Sequence, residues 1–267
     1  MKEILTTVLV FAVLGGVFGV LLAFASKIFE VKTDPRVPQI LDCLPGANCG
    51  GCGYSGCSAL AEAVASGDAK PSACPVGGAE TAVKIGAIMG VETTNVQRKR
   101  AQVMCSGNCE ASKKKYVYSG APDCVSAASL AGGDKMCANG CIGLGTCVAA
   151  CPFGAISVVD GVAAVDYHKC EGCGVCVAAC PKHIIELIPF EADFWVGCKS
   201  VEPGAVVRKQ CDAGCIGCKI CEKNCPAGAI TVKDYVASID YEKCTECGIC
   251  AEKCPRGIIK SSRSTPL

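Results

Sequence analysis

The sequence predicts an α+β chain: an N-terminal transmembrane helix, a small helical cysteine-bearing domain, and two tandem copies of one cysteine-rich unit. Three observations predict it. An uncharged, largely apolar stretch runs from Ile4 to Ser26. A compact group, Cys49, Cys52, Cys57 and Cys74, follows it. From Cys124 onward, nearly every cysteine recurs at an offset of 74 residues. These divisions correspond to residues 1–29, 30–90, 91–190 and 191–267.

A helix needs ~20 apolar residues to cross the hydrocarbon core, so the first stretch is long enough to span. Gly15 and Gly19 form a small-xxx-small pair suited to close packing on another membrane helix. A cleaved signal peptide is the competing reading, since Ala23-Phe24-Ala25 resembles a cleavage site. Against it, only Lys2 beside Glu3 precedes the apolar run, and the run exceeds the usual length of about 7–15 residues. Lys27, Lys32 and Arg36 follow the span. That bias predicts a single pass through the cell inner (cytoplasmic) membrane with the cysteine domains on the cytoplasmic side.

After a short linker (Val31 to Pro38), Cys49-x2-Cys52-x4-Cys57-x16-Cys74-Pro75 supplies four thiols around one helix. Ser58 to Ser66 is rich in Ala, Leu and Glu, and Gly67 suits the cap that ends it. Glycines crowd the ligand loop, where backbone must fold tightly round an inorganic cube. Cys43 would be a redundant ligand and reads as a buried free thiol. Residues 79–89 read as a short helical connector.

The repeat follows. Cys170-x2-Cys173-x2-Cys176-x3-Cys180-Pro181 recurs as Cys244-x2-Cys247-x2-Cys250-x3-Cys254-Pro255, and Cys215-x2-Cys218-x2-Cys221-x3-Cys225-Pro226 has the same form. This is the ligand spacing of bacterial 4Fe-4S ferredoxins. Short spacers let three thiolates converge from one loop, and the fourth, before proline, ligates the neighbouring cluster. Between the runs, Ala155–Val159 and Val162–Val165 read as strands turning at Asp160-Gly161. A shared period of this kind means two tandem bacterial-ferredoxin-like domains.

One position breaks the period. Leu144 stands where the second copy has Cys218, so the run reads Cys137-x3-Cys141-x5-Cys147-x3-Cys151. Either the site holds an incomplete three-iron cluster, or Cys137, one helical turn from Cys141, is recruited in its place. With recruitment, crossing gives the sets Cys137/Cys141/Cys147/Cys180, Cys170/Cys173/Cys176/Cys151, Cys215/Cys218/Cys221/Cys254 and Cys244/Cys247/Cys250/Cys225. With the Cys49 group, this makes five 4Fe-4S clusters. A sixth would draw on Cys105, Cys109 and Cys124 with Cys198 or Cys211, which otherwise are buried or incidental thiols.

The chain has 26 cysteines in 267 residues, a density that in a short secreted protein would suggest disulfides. Regular spacing and proline punctuation favour free thiolates in a reducing compartment instead. The formal charge of +1 omits cofactors, and five loaded sites would lower it by about ten. A nucleic-acid binder would carry a basic excess, so no nucleic-acid partner is expected. No catalytic constellation or dinucleotide-binding glycine motif is present; His168 and His183 read as solvated loop residues. Arg98-Lys-Arg100 and Lys113-Lys-Lys115 are either solvated faces or a docking patch for an acidic protein.

The order of these parts, with Leu44-Pro-Gly-Ala-Asn-Cys-Gly-Gly-Cys-Gly-Tyr-Ser-Gly-Cys57 between membrane helix and ferredoxin runs, resembles the B-subunit family of Rnf electron-transport complexes. The resemblance covers essentially the whole chain, and the second ferredoxin copy is similar to the longer versions in anaerobes. It implies a subunit of a membrane oxidoreductase that oxidises reduced ferredoxin, reduces NAD+ and pumps Na+ or H+. Its partners would be the other membrane and peripheral subunits and soluble ferredoxin, from which this subunit takes electrons. Leu144 departs from the simple ferredoxin run and leaves one cluster's ligation open.

A membrane-tethered cluster carrier or scaffold is the alternative. It would hold labile, exposed clusters, whereas crossed ligation locks them in. The Cys49 to Cys74 module also resembles the cluster domain of corrinoid iron–sulfur proteins, but no cobalamin-binding domain follows it.

Overall fold

The computed structural model describes residues 2–28, 34–93 and 96–262. Helix α1 (Lys2–Ile28) carries the apolar stretch, and its side chains from Phe11 to Phe24 are exposed. Among the described residues no helix is long and apolar enough to cross a membrane. The described side chains of α1 run unbroken only over residues 11–27. Lys32, counted in the charge bias, lies outside the described residues.

The next module packs α2 (Arg36–Cys43), α3 (Cys57–Ser66) and α4 (Gly78–Met89) around Ile40, Leu60, Val64 and Ile85. Gly67 ends α3 in the left-handed conformation, as the sequence predicts. The expected linker is shorter than predicted, because α2 begins at Arg36. The expected connector is α4, and it closes the module by burying Ile85.

The first ferredoxin unit contains β1 (Lys99–Val103), α5 (Cys124–Ser129), α6 (Thr146–Ala149), β2 (Ile156–Val159), β3 (Val162–Val165), α7 (Val175–Ala179) and β4 (Ile185–Pro189). The second contains β5 (Phe194–Val196), α8 (Gly204–Gln210), α9 (Ile220–Lys223), β6 (Ile230–Lys233), β7 (Val236–Ile239), α10 (Ile249–Glu252) and β8 (Ile259–Ser261). Each unit holds two antiparallel ribbons: the hairpins β2–β3 and β6–β7, and the long-range pairs β1–β4 and β5–β8. The first hairpin turns at Asp160 (φ 48°) and Gly161 (φ 75°), the positive pair that a two-residue turn with the strands' own twist requires.

Each unit's core interleaves aliphatic and cysteine side chains. Ile156, Val165 and Ile185 pack with Cys141, Cys170 and Cys176 in the first, and Ile230, Val232 and Ile259 with Cys215, Cys221 and Cys250 in the second. With ribbons this short, the apolar residues form a thin shell around the cysteines.

The 74-residue period holds for the hairpins and for β4 and β8 but fails for the opening strands. Val103 lies opposite Ile185 and Val196 opposite Ile259. The partners are 74 residues apart, whereas Val103 and Val196 are 93 apart. The first unit therefore carries an insertion of 19 residues between β1 and its first cysteine run. That insertion reaches the second unit: the Lys113 amide donates to the Gln210 carbonyl at 3.0 Å and the Asp212 amide to that of Ala111 at 2.7 Å.

Candidate iron–sulfur centres

All 26 cysteines are free thiols. Four hollows are each lined by four of them. In the first unit, Cys124, Cys141, Cys147 and Cys180 line the first site, and Cys151, Cys170, Cys173 and Cys176 the second. In the second unit, Cys215, Cys218, Cys221 and Cys254 line the first site. Its second site is marked by Cys250, whose thiol is pushed up to about 11 by burial and by neighbouring Cys244, Cys247 and Cys225. In the helical module, burial and the nearby Cys52 and Cys57 raise the Cys74 thiol. Cys49, in the same loop, also lies within electrostatic reach of Cys173.

The fourth hollow lies between the units. Cys105 and Cys137 from the first meet Cys198 and Cys211 from the second. This site has internal pseudo-symmetry. Cys137 and Cys211 correspond at the 74-residue period, and Cys105 and Cys198 each sit two residues beyond the equivalent strands β1 and β5. The hydrogen bonds correspond too. The Cys141 amide donates to Cys105 Sγ at 3.4 Å, and the equivalent backbone bond from Cys215 supports the Cys198 thiolate.

Cys137 thus does not line the hollow of Cys141, Cys147 and Cys180, whereas Cys124 does. The physical reason is local. Residues 137–141 form turns rather than a helix, so four-residue spacing does not put Cys137 and Cys141 on one face. Cys124 opens α5, whose cap is Asp123, with Oδ1 accepting from the Val125 and Ser126 amides. The Cys124 amide donates to Thr146 Oγ1 at 2.7 Å, pinning α5 to α6 beside the position of Leu144. Proximity in space, invisible to spacing, brings Cys124 there. Cys109, weighed for a sixth site, is exposed and belongs to none of these groups, and Cys43 stays at the rim of the helical module's core.

The donor sets fit iron–sulfur cubanes. Four thiols line each hollow, and backbone amides aim at thiols throughout: Ala155 at Cys151, its equivalent Ala229 at Cys225, Ala101 at Cys170, Gly77 at Cys74 and Ser200 at Cys198. Such N–H···S bonds stabilise thiolate and tune cluster potential. A single zinc would draw four thiolates to about 3.8 Å from one another. Among the described residues no three His, Cys, Asp or Glu side chains are so gathered. Crowded thiols without iron resist ionisation. Cys176 is pushed up to about 12 by burial, then by Cys170, Cys173 and Cys151, and Cys147 up to about 11 by burial, then by Cys141, Cys124 and Cys180. Cluster binding at such sites displaces protons and supplies the positive charge the thiolates lack. When bound, each cluster supplies a one-electron couple.

Neighbouring sites touch. A side chain on Gly51 would collide with the carbonyl oxygen of Cys173, so the helical module abuts the second site of the first unit only because this residue has no Cβ. Gly172 (φ +64°) likewise lets that site's loop press on the Lys99 carbonyl. His168 and His183 are exposed loop residues. The two basic runs differ: Lys113 to Lys115 are exposed, but Arg100 is only 2% exposed and belongs to no solvated face.

Tandem two-site units with a cysteine-lined helical module define an iron–sulfur electron-transfer protein. A family model for an Fe-S cluster matches residues 44–76, and models for a 4Fe-4S dicluster domain match 135–181 and 214–259. The chain is 44% identical, over 91% of its length and 92% of the relative's, to the B-subunit of the ion-translocating oxidoreductase complex of Methanosarcina acetivorans. It is 46% identical to the B-subunit of the Na(+)-translocating ferredoxin:NAD(+) oxidoreductase complex of Acetobacterium woodii, covering 91% of this chain and 74% of that one. It is 40% identical to the proton-translocating counterpart of Clostridium ljungdahlii, covering 91% and 87%. The chain belongs to this B-subunit family and is an electron-transfer subunit of an ion-translocating oxidoreductase.

Proposed function

We propose that this chain is the membrane-anchored wire of a ferredoxin:NAD+ oxidoreductase complex, holding six 4Fe-4S clusters and relaying electrons from soluble ferredoxin to its partner subunits. One observation carries the reading: the cysteine foursomes adjoin in a row. The helical-module site meets Cys173 across Gly51, and Cys176 lies within reach of Cys147. The Cys141 amide donates to Cys105 Sγ, Cys198 neighbours Cys215, and the two sites of the second unit share one core. The between-unit foursome is the sixth site, and it gives electrons a route from one ferredoxin unit to the other. The ligand sets follow the hollows, with Cys124 completing the site at Leu144 and Cys137 assigned to the sixth.

Anchoring rests on α1. Its 27 residues extend about 40 Å, enough for a bilayer core. Its exposed side chains from Phe11 to Phe24 are uncharged, and Gly15 and Gly19 have nothing within 4 Å. In this reading the chain divides into an anchor (1–29), a helical module (30–90) and two ferredoxin units (91–190, 191–267), and the positive residues after the span favour the cytoplasmic side for the cysteine domains.

Iron and acid-labile sulfide per chain, measured on anaerobically purified protein, test the assignment. About 24 of each supports six clusters, and about 20 leaves the between-unit site unfilled. Little iron with oxidised thiols overturns the wire altogether. Fast cluster donation to an apo-ferredoxin would instead identify a carrier.

A further inference from the structure

Arg100 is among the largest fully buried side chains, at 2% exposed. Its Nη2 donates to the Ala192 carbonyl at 2.7 Å, Nε to the Phe190 carbonyl at 3.2 Å, and Nη1 to Gln102 Oε1 at 2.8 Å. Its guanidinium carbon lies 3.9 Å from the Tyr167 ring centroid and 5.6 Å from that of Trp195. Every one of these partners is neutral. Among the described residues no carboxylate pairs with Arg100. Glu186 and Glu246, which flank nearby Tyr241, are engaged by Lys199 and by the Asp193 amide. Burying a full cation is costly unless an opposite charge compensates it.

Two cysteine sites lie near this arginine. Arg100 adjoins Ala101, whose amide donates to Cys170 Sγ at 3.4 Å, in the second site of the first unit. On its other side Tyr241 lies within electrostatic reach of both Arg100 and Cys244, in the second site of the second unit. Tyr167 and Tyr241 are equivalent residues of the two copies, each three positions before the leading cysteine of its site. Among the described residues Arg100 is the one buried arginine, and it neighbours the loops of two equivalent sites. Each loaded site carries four thiolates against a cluster core of about +2, a net charge of about −2. We propose that Arg100 is a fixed counter-charge shared by these two clusters, which raises their reduction potentials above the values they would have without it. Reduction adds one electron and makes each site more negative, so a nearby buried cation favours the reduced form. This rests on the cluster assignment proposed above.

The experiment is a redox titration followed by EPR, on full-length protein with clusters loaded. Two variants remove the net charge differently. Arg100→Gln deletes it, and Gln102→Glu leaves Arg100 in place but gives it a carboxylate partner of nearly the same shape. Both are expected to lower the midpoints of the same two clusters, by about tenfold in reduced-to-oxidised ratio at fixed potential, equivalent to about 59 mV. Arg100→Lys is expected to keep the wild-type midpoints. The shift should survive added salt, because buried charges are poorly screened. Should Arg100→Gln lose iron, Gln102→Glu decides. Wild-type midpoints in iron-replete Gln102→Glu overturn the proposal, as does a fall in Arg100→Lys equal to that in Arg100→Gln, which would make the effect one of packing. Failure of the underlying assignment looks different: the wild-type protein would lack the iron itself.

Discussion

Cys105 and Cys198 occupy equivalent places in the two ferredoxin units, although 93 residues separate them and the sequence repeats every 74. Each sits two residues past the strand that opens its unit, and each receives a hydrogen bond from an equivalent cysteine amide. Sequence period pairs Cys198 with Cys124 instead, which lines a different site. The 19-residue insertion of the first unit uncouples the two kinds of equivalence. In this way Cys124 comes to line the first site of the first unit, and Cys105 to face the second unit.

The exchange predicts opposite phenotypes for two serine variants. Cys124→Ser leaves three thiols at the first site of the first unit and should give a three-iron EPR signal after oxidation, with about one iron lost. Cys137→Ser should spare that site and weaken the between-unit cluster. A three-iron signal from Cys137→Ser, with none from Cys124→Ser, would restore Cys137 to the ferredoxin run.

Asp123→Ala removes the acceptor that caps α5. Loss of such a cap costs about 1 kcal/mol. The helix presents Cys124, so chelators should strip the first site of the first unit sooner than in wild type, with the remaining clusters keeping their wild-type rates. Uniform loss of iron from every site would show that α5 does not position this ligand separately.

Gly51→Val tests the junction between the helical module and the first ferredoxin unit. The added side chain meets the Cys173 carbonyl, which is backbone and cannot swing aside. The comparison is made on protein whose iron content equals that of wild type. Electron equilibration between the helical-module cluster and the rest should slow as the two sites are pushed apart. Rapid-freeze EPR after a pulse of reduced ferredoxin would read it, and an unchanged rate would mean that electrons do not cross there.

The exposed lysines 113 to 115 are not interchangeable. Lys114 Nζ pairs at 2.9 Å with Asp134, whose side chain is 8% exposed, and Lys115 Nζ donates to the Ala131 carbonyl. Lys114→Gln leaves a buried carboxylate short of its partner and should destabilise the protein by about 1–3 kcal/mol. Lys113→Gln should instead slow ferredoxin oxidation at low salt, with the difference fading as salt rises. Equal rates at low ionic strength would remove this face as a docking patch.

Spacing alone dictates much of this molecule. Two-residue spacers with a trailing Cys-Pro match ferredoxin loops, so the grouping of those cysteines, the Asp160-Gly161 hairpin and the helix ending at Gly67 were legible in one dimension. Those features are local, set by a few consecutive dihedrals. Other features required the folded chain. Cys124 reaches its site through a hydrogen bond to Thr146, 22 residues on. The between-unit foursome needs two strands whose pairing is long-range. Arg100 reads in the sequence as part of a basic surface run, yet it is buried against Tyr167, within reach of Tyr241 and beside two cluster loops. Contacts between segments far apart in the chain depend on where an insertion sends the backbone, and no periodicity in residue type encodes that.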